Sequence, residues 1–137
     1  MGRILAIDYG QKRTGLAVTD PLQIIATGLT TLPTAELMTF LKKYVAEESV
    51  DLILMGMPLN LDDSDTHATP LVRQAIARIR KELPQVRLET ADERFTSKMA
   101  SRALVESGVK KKDRRNKALV DEVAATILLQ EYLARKS

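Results

Sequence analysis

The chain has 137 residues, 45% of them hydrophobic, a net charge of +3 and a pI near 9.3. That length suits one domain over residues 1–137, and the apolar share is enough for a packed core. With no cysteine and a single histidine, His67, disulfides, thiolate catalysis and multi-histidine zinc sites are excluded. No apolar run is long enough for a signal peptide or a membrane span, so the expectation is a cytoplasmic protein with no membrane partner.

In chain order, residues 4–8 are a short apolar run ending in an acid, the pattern of a buried strand. Gly10 to Gly15 then predict a turn, and residues 15–19 and 24–31 two more strands of an antiparallel meander. Pro33-Thr34 punctuates the chain before a helix whose stripe is Leu37, Leu41, Tyr44 and Val45, with Thr34 as its cap. Residues 51–57 are continuously apolar, as in a strand covered on both faces. Thr69-Pro70 predicts the cap and first turn of a helix through Leu71, Val72, Ala75, Ile76, Ile79 and Leu83. Val86 to Thr90 alternate as an edge strand does. Thr96 opens a further helix that stops near Gly108, and the last helix runs from about 116 to 133. Three strands followed by alternating helices and strands predict an α/β fold, a mixed five-stranded sheet flanked by helices.

Three acids stand out. Asp8 ends its strand and precedes Tyr9-Gly10, and such a strand end opens on the crevice where α/β sheets bind ligands. Alone it reads as a turn residue. Glu93, in Asp92-Glu93-Arg94, also follows a strand; alone it is as readily a surface loop. Asp121 is the most informative. Glu122, Thr126 and Gln130 mark the wet stripe of the last helix, whereas Asp121 shares a face with Ala124, Ala125 and Leu128. An acid turned toward a sheet needs a partner. A cation shared with Asp8 and Glu93 would supply one, and an oxygen-only set suits Mg²⁺ or Mn²⁺. Lys110, Lys111, Lys112, Arg114, Arg115 and Lys117 put six cations just before Asp121. In isolation that run is a solvated loop. Beside an acidic metal site it suits a phosphate backbone.

The segments Ile7-Asp8-Tyr9-Gly10, Lys12 to Val18, Gly56-Met57-Pro58-Leu59-Asn60, Asp92 to Thr96, and Val120-Asp121 with Ala124-Ala125 resemble the YqgF/RuvX family. These are pre-16S rRNA nucleases related to Holliday junction resolvases of the RNase H-like fold. The resemblance covers nearly the whole chain. It implies an RNase H-like sheet, a hydrolase cutting phosphodiester bonds, and Asp8, Glu93 and Asp121 as catalytic metal ligands. It also implies that Arg13 and Arg94 contact phosphate, and that Asp20 and Asn60 shape the site. Asp63 departs from the pattern, which often has glycine there. Pre-rRNA is the implied nucleic acid, with branched DNA as the alternative, acted on by a monomer or homodimer. Two other readings stay open. Asp8, Gly10 and Gly15 also look like the first phosphate loop of actin-like kinases, which need two domains where this chain has room for one. A non-catalytic RNA-binding assembly factor would use only the basic run.

Overall fold

In the computed structural model, the structure describes residues 2–58, 62, 64–92, 100, 102, 103, 105 and 116–136. Five strands form one sheet: β1 (Arg3–Tyr9), β2 (Arg13–Thr19), β3 (Ala26–Pro33), β4 (Val50–Met57) and β5 (Arg87–Asp92). Their spatial order is β3-β2-β1-β4-β5. The first three are antiparallel neighbours, and β4 and β5 run parallel to β1. The meander and the mixed sheet match expectation.

Each strand sends alternate residues to opposite faces. Leu5, Ile7, Leu16, Val18, Ile53 and Met55 meet the helices α1 (Leu37–Glu47) and α2 (Thr69–Glu82). Ile4, Ala6, Ala17, Leu52 and Leu54 meet α3 (Lys117–Lys136) through its Ala125, Leu128 and Leu129. β1 and β4 are covered on both sides, which is why they read as unbroken apolar runs.

The two faces differ in side-chain size. Small residues gather under the N-terminal half of α3: Ala6, Gly15, Ala17 and Gly28 on the sheet, Ala124 and Ala125 on the helix. Small against small lets the helix axis approach the strands closely. At Gly15 no room remains, since a Cβ there would run into the backbone carbonyl of Asp121. At Gly28 a Cβ would meet the side chain of Glu122, 2.6 Å from its Oε1. Glu122 is thus half-buried against β3 rather than on a wet stripe, while Gln130 is exposed as expected.

Several local expectations need correcting. The turn after β1 is shorter than Gly10–Gly15, because β2 begins at Arg13. Thr34 caps no helix; it opens a 3-10 turn (Thr34–Glu36), and α1 follows without a side-chain cap. Thr34 Oγ1 instead donates to the Gly10 carbonyl (2.6 Å), so Thr14 must donate in its 2.8 Å contact with Thr34. Thr69 is not a cap either. It is the first residue of α2, fully buried, and its hydroxyl donates to the Pro58 carbonyl (2.5 Å) and accepts from the Thr66 amide (2.8 Å). In both places the hydroxyl found a distant strand end rather than its own helix. Asn116 does cap α3, accepting from the amides of Ala118 (3.0 Å) and Leu119 (3.4 Å).

Asp20 closes the far end of β2. Its carboxylate accepts from the amides of Ile25 (2.7 Å), Ile24 (2.8 Å) and Leu22 (3.1 Å). Gln23, at φ 59°, holds the same loop by donating to the Gly2 carbonyl (2.7 Å). The loop presents Leu22, Ile24 and Ile25, each about two-thirds exposed.

Two predictions follow from this packing. Gly15→Ala should lower unfolding stability by about 1–3 kcal/mol, because backbone must shift. Gly28→Ala should cost less, since the Glu122 side chain can turn aside; chemical denaturation of both variants checks the order. The amides of Ile25 and Ile24 hold the Asp20 carboxyl below its ordinary value. A lowered folded pKa contributes stability above the unfolded pKa that is lost as pH falls through the folded one. The stability gap between wild type and Asp20→Ala should therefore be widest near neutrality and close from about pH 5 downward. Urea midpoints at pH 7 and pH 3 measure it; a gap independent of pH would contradict the assignment.

Candidate nucleic-acid site at the end of β1

Asp8 lies two residues past Ala6 and so faces α3. Its direct cross-strand partner in β2 is Gly15. Gly15 is also where the backbone of Asp121 rests on the sheet. Two acids 113 positions apart in the chain therefore meet at one glycine. Asp121 is the fifth residue of α3, past its first turn.

Arg13 lies on this face too, two residues before Gly15. Its Nε donates to Asp121 Oδ2 at 2.9 Å. The partner that an acid turned toward the sheet requires is thus a guanidinium. Arg13 is 38% exposed and Asp121 22%, so the pair is partly solvated and contributes at most about 1 kcal/mol. The turn between β1 and β2 aims Arg13. It is tight enough that a Cβ at Gly10 would strike the Arg13 carbonyl. The Thr34 amide bonds the Lys12 carbonyl (3.0 Å), and the Thr34 hydroxyl bonds Gly10. The chain comes close to Gly10 by its own turn, which leaves no room for a side chain there.

The first turn of α3 is bound to the sheet beside this point. Thr31, the cross-strand partner of Gly15 in β3, donates its hydroxyl to the Ala118 carbonyl at 2.6 Å. Thr31, Gly15 and Asp8 form one row under the helix start. Lys117 is exposed one turn before Asp121 and shares its side of α3.

Of the remaining expected site residues, Glu93, Arg94, Lys110, Lys111, Lys112, Arg114, Arg115 and Asn60 lie outside the described residues, as does Asp63. Among the described residues no three acids or histidines are grouped as a metal site would need. Asp8 and Asp121 both carry hard oxygen donors, chemistry that fits part of a Mg²⁺ or Mn²⁺ shell. Asp20 is not part of the site. β2 runs antiparallel to β1, so its last residues lie beside the start of β1, at the opposite end of the sheet from Asp8. His67 is exposed in the turn before α2. A hollow of about 320 Å³ between β5 and the C-terminal half of α3, lined by Glu89, Tyr132 and Arg135, holds neither acid. Among the described residues no helix is long and apolar enough to cross a membrane.

Comparison with known proteins agrees with this architecture. The chain matches the family model described as "RuvX: Holliday junction resolvase" over residues 2–135. A Flavobacterium psychrophilum protein named "Putative pre-16S rRNA nuclease" is 49% identical over 136 residues, covering 99% of each chain. A Bacteroides fragilis protein of the same name is 52% identical with the same coverage. The structure titled "T. thermophilus RuvC in complex with Holliday junction substrate" superposes with a TM-score of 0.60 at 16% identity, covering 100% of this chain and 97% of the other. That likeness establishes the RNase H-like fold. A strand-end acid meeting a helix acid over a glycine, on a sheet matched from one end of the chain to the other, therefore belongs to a member of the RuvX family.

Proposed function

We propose that this chain is a cytoplasmic, metal-dependent nuclease that hydrolyses phosphodiester bonds at the 5′ end of pre-16S rRNA. The observation that carries the reading is the junction at Gly15, where the strand position of Asp8 pairs with the glycine on which the backbone of Asp121 rests. The names of its relatives at about 50% identity supply the substrate.

Asp8 and Asp121 would hold the cation together with Glu93. Support for Glu93 comes from the strand frame. Ile7 pairs with Met55, and Gly56, the next residue, pairs with Ala91, so β5 reaches the level of Asp8 at Ala91 and ends at Asp92. Three carboxylates of like charge resist closing on one another without a cation. When bound, Mg²⁺ or Mn²⁺ activates water and offsets charge on the leaving oxygen. The protein's own part is positional. β1 and α3 fix the two acids through backbone that is already packed, so little ordering remains to be done when substrate arrives. In our proposal Lys117, Arg13, Arg94, Lys110, Lys111, Lys112, Arg114 and Arg115 hold the phosphates that cross the site.

The test is cleavage of a labelled 16S precursor fragment, with a four-way DNA junction beside it because the family model carries the resolvase description. Asp8→Asn and Asp121→Asn should each lower the cleavage rate at least about 100-fold, the scale of losing metal charge stabilisation. EDTA should abolish cutting and RNA binding should persist. Cutting of the junction alone would assign the enzyme to DNA. Binding without cutting by wild type in Mg²⁺ or Mn²⁺ would overturn the nuclease reading.

A further inference from the structure

Arg13 occupies the Asp121 carboxylate in the same place where, on the reading above, a divalent cation would bind. The guanidinium reaches Oδ2 at 2.9 Å through Nε. The two partners are not equally free to move. Asp121 belongs to the turn of α3 that is seated on Gly15, with Thr31 bonded to the Ala118 carbonyl one turn earlier. The backbone of Asp121 therefore cannot move without lifting the helix, and its short side chain gives the carboxylate little reach. Arg13 has a fixed strand backbone but a long side chain, and it is the more exposed of the pair, 38% against 22%. Its charge can be rehydrated at little cost. A divalent ion placed on Asp121 would also repel the adjacent guanidinium. Each cation therefore weakens the hold of the other on this carboxylate, and the side chain able to leave is Arg13.

We propose that Arg13 is a displaceable counter-ion that competes with the divalent metal for Asp121 and so weakens metal binding by the protein free of nucleic acid. The inference rests on Asp121 being a metal ligand. It makes Arg13 a positioning residue with two states. It neutralises Asp121 before the metal loads and is released at the same end of the sheet afterwards, next to Lys117 where phosphates would pass. Loading then frees a cation for the substrate backbone, which ties the two binding events together.

The experiment is calorimetric titration with Mn²⁺ alone, without nucleic acid, on wild type, Arg13→Gln, Arg13→Lys and Lys12→Gln. Partly exposed ion pairs correspond to at most about fivefold in an equilibrium constant. Arg13→Gln should bind Mn²⁺ about two- to fivefold more tightly than wild type. Arg13→Lys, which keeps the charge, should stay near wild type. Lys12→Gln removes a neighbouring exposed charge and should move affinity less than twofold, which separates competition from net charge. Melting in EDTA shows whether each variant is folded. If wild type binds Mn²⁺ and folded Arg13→Gln binds it equally or more weakly, the competition is refuted and Arg13 instead steadies the carboxylate for the metal. If neither protein binds Mn²⁺ at millimolar concentration, the metal-site reading itself fails, and this inference with it.

Discussion

The structure turns on how closely α3 can approach the sheet at Gly15. A helix carrying an acid brings that acid to a strand end only if nothing separates their backbones. Here the separation is removed by a row of small residues, with Ala6, Ala17, Gly15 and Gly28 below and Ala124 and Ala125 above. The contact at Gly15 is backbone to backbone, so it defines a distance rather than a range. Everything proposed about function uses that distance. Asp8 is set by its register opposite Gly15, Asp121 by its seat on Gly15, and Arg13 by being two residues before it.

The same constraint explains the asymmetry of the core. The face under α1 and α2 is built from Leu, Ile, Val and Met and has only to fill volume. The face under α3 gives up apolar area for proximity. Burying less apolar surface there forgoes roughly 25 cal/mol for each Å² not covered. What is gained is placement, because the carboxylates we propose to share a cation are held before it arrives. The far end of the sheet is ordered by different means, with Asp20 and Gln23 pinning the 20–25 loop by hydrogen bonds to backbone.

Much of this was legible in the residues. Unbroken apolar runs marked β1 and β4, short connections marked the meander, and the apolar company of Asp121 turned it toward the sheet, although Glu122, read as part of the wet stripe, packs against β3. The misses share a cause. Thr34 and Thr69 look like caps because the local pattern allows it, yet each hydroxyl bonds a carbonyl from another segment, Gly10 and Pro58. Arg13 looked like part of a turn, and only strand pairing puts it on the face of β2 that carries Gly15. Asp20 matched a family motif, but the antiparallel path of β2 carries it to the wrong end of the sheet. Local pattern predicts elements well, whereas which distant atom satisfies a polar group depends on topology.

The central claim is that the junction at Gly15 is a metal site, and the most direct test is a crystal of the protein grown with Mn²⁺ and measured at the manganese absorption edge. The account predicts an anomalous peak at about 2.1 Å, the distance expected of hard-cation oxygen ligands, from carboxylate oxygens of both Asp8 and Asp121, with Glu93 completing the set. Manganese bound elsewhere, with no peak near Asp8 and Asp121, would contradict it.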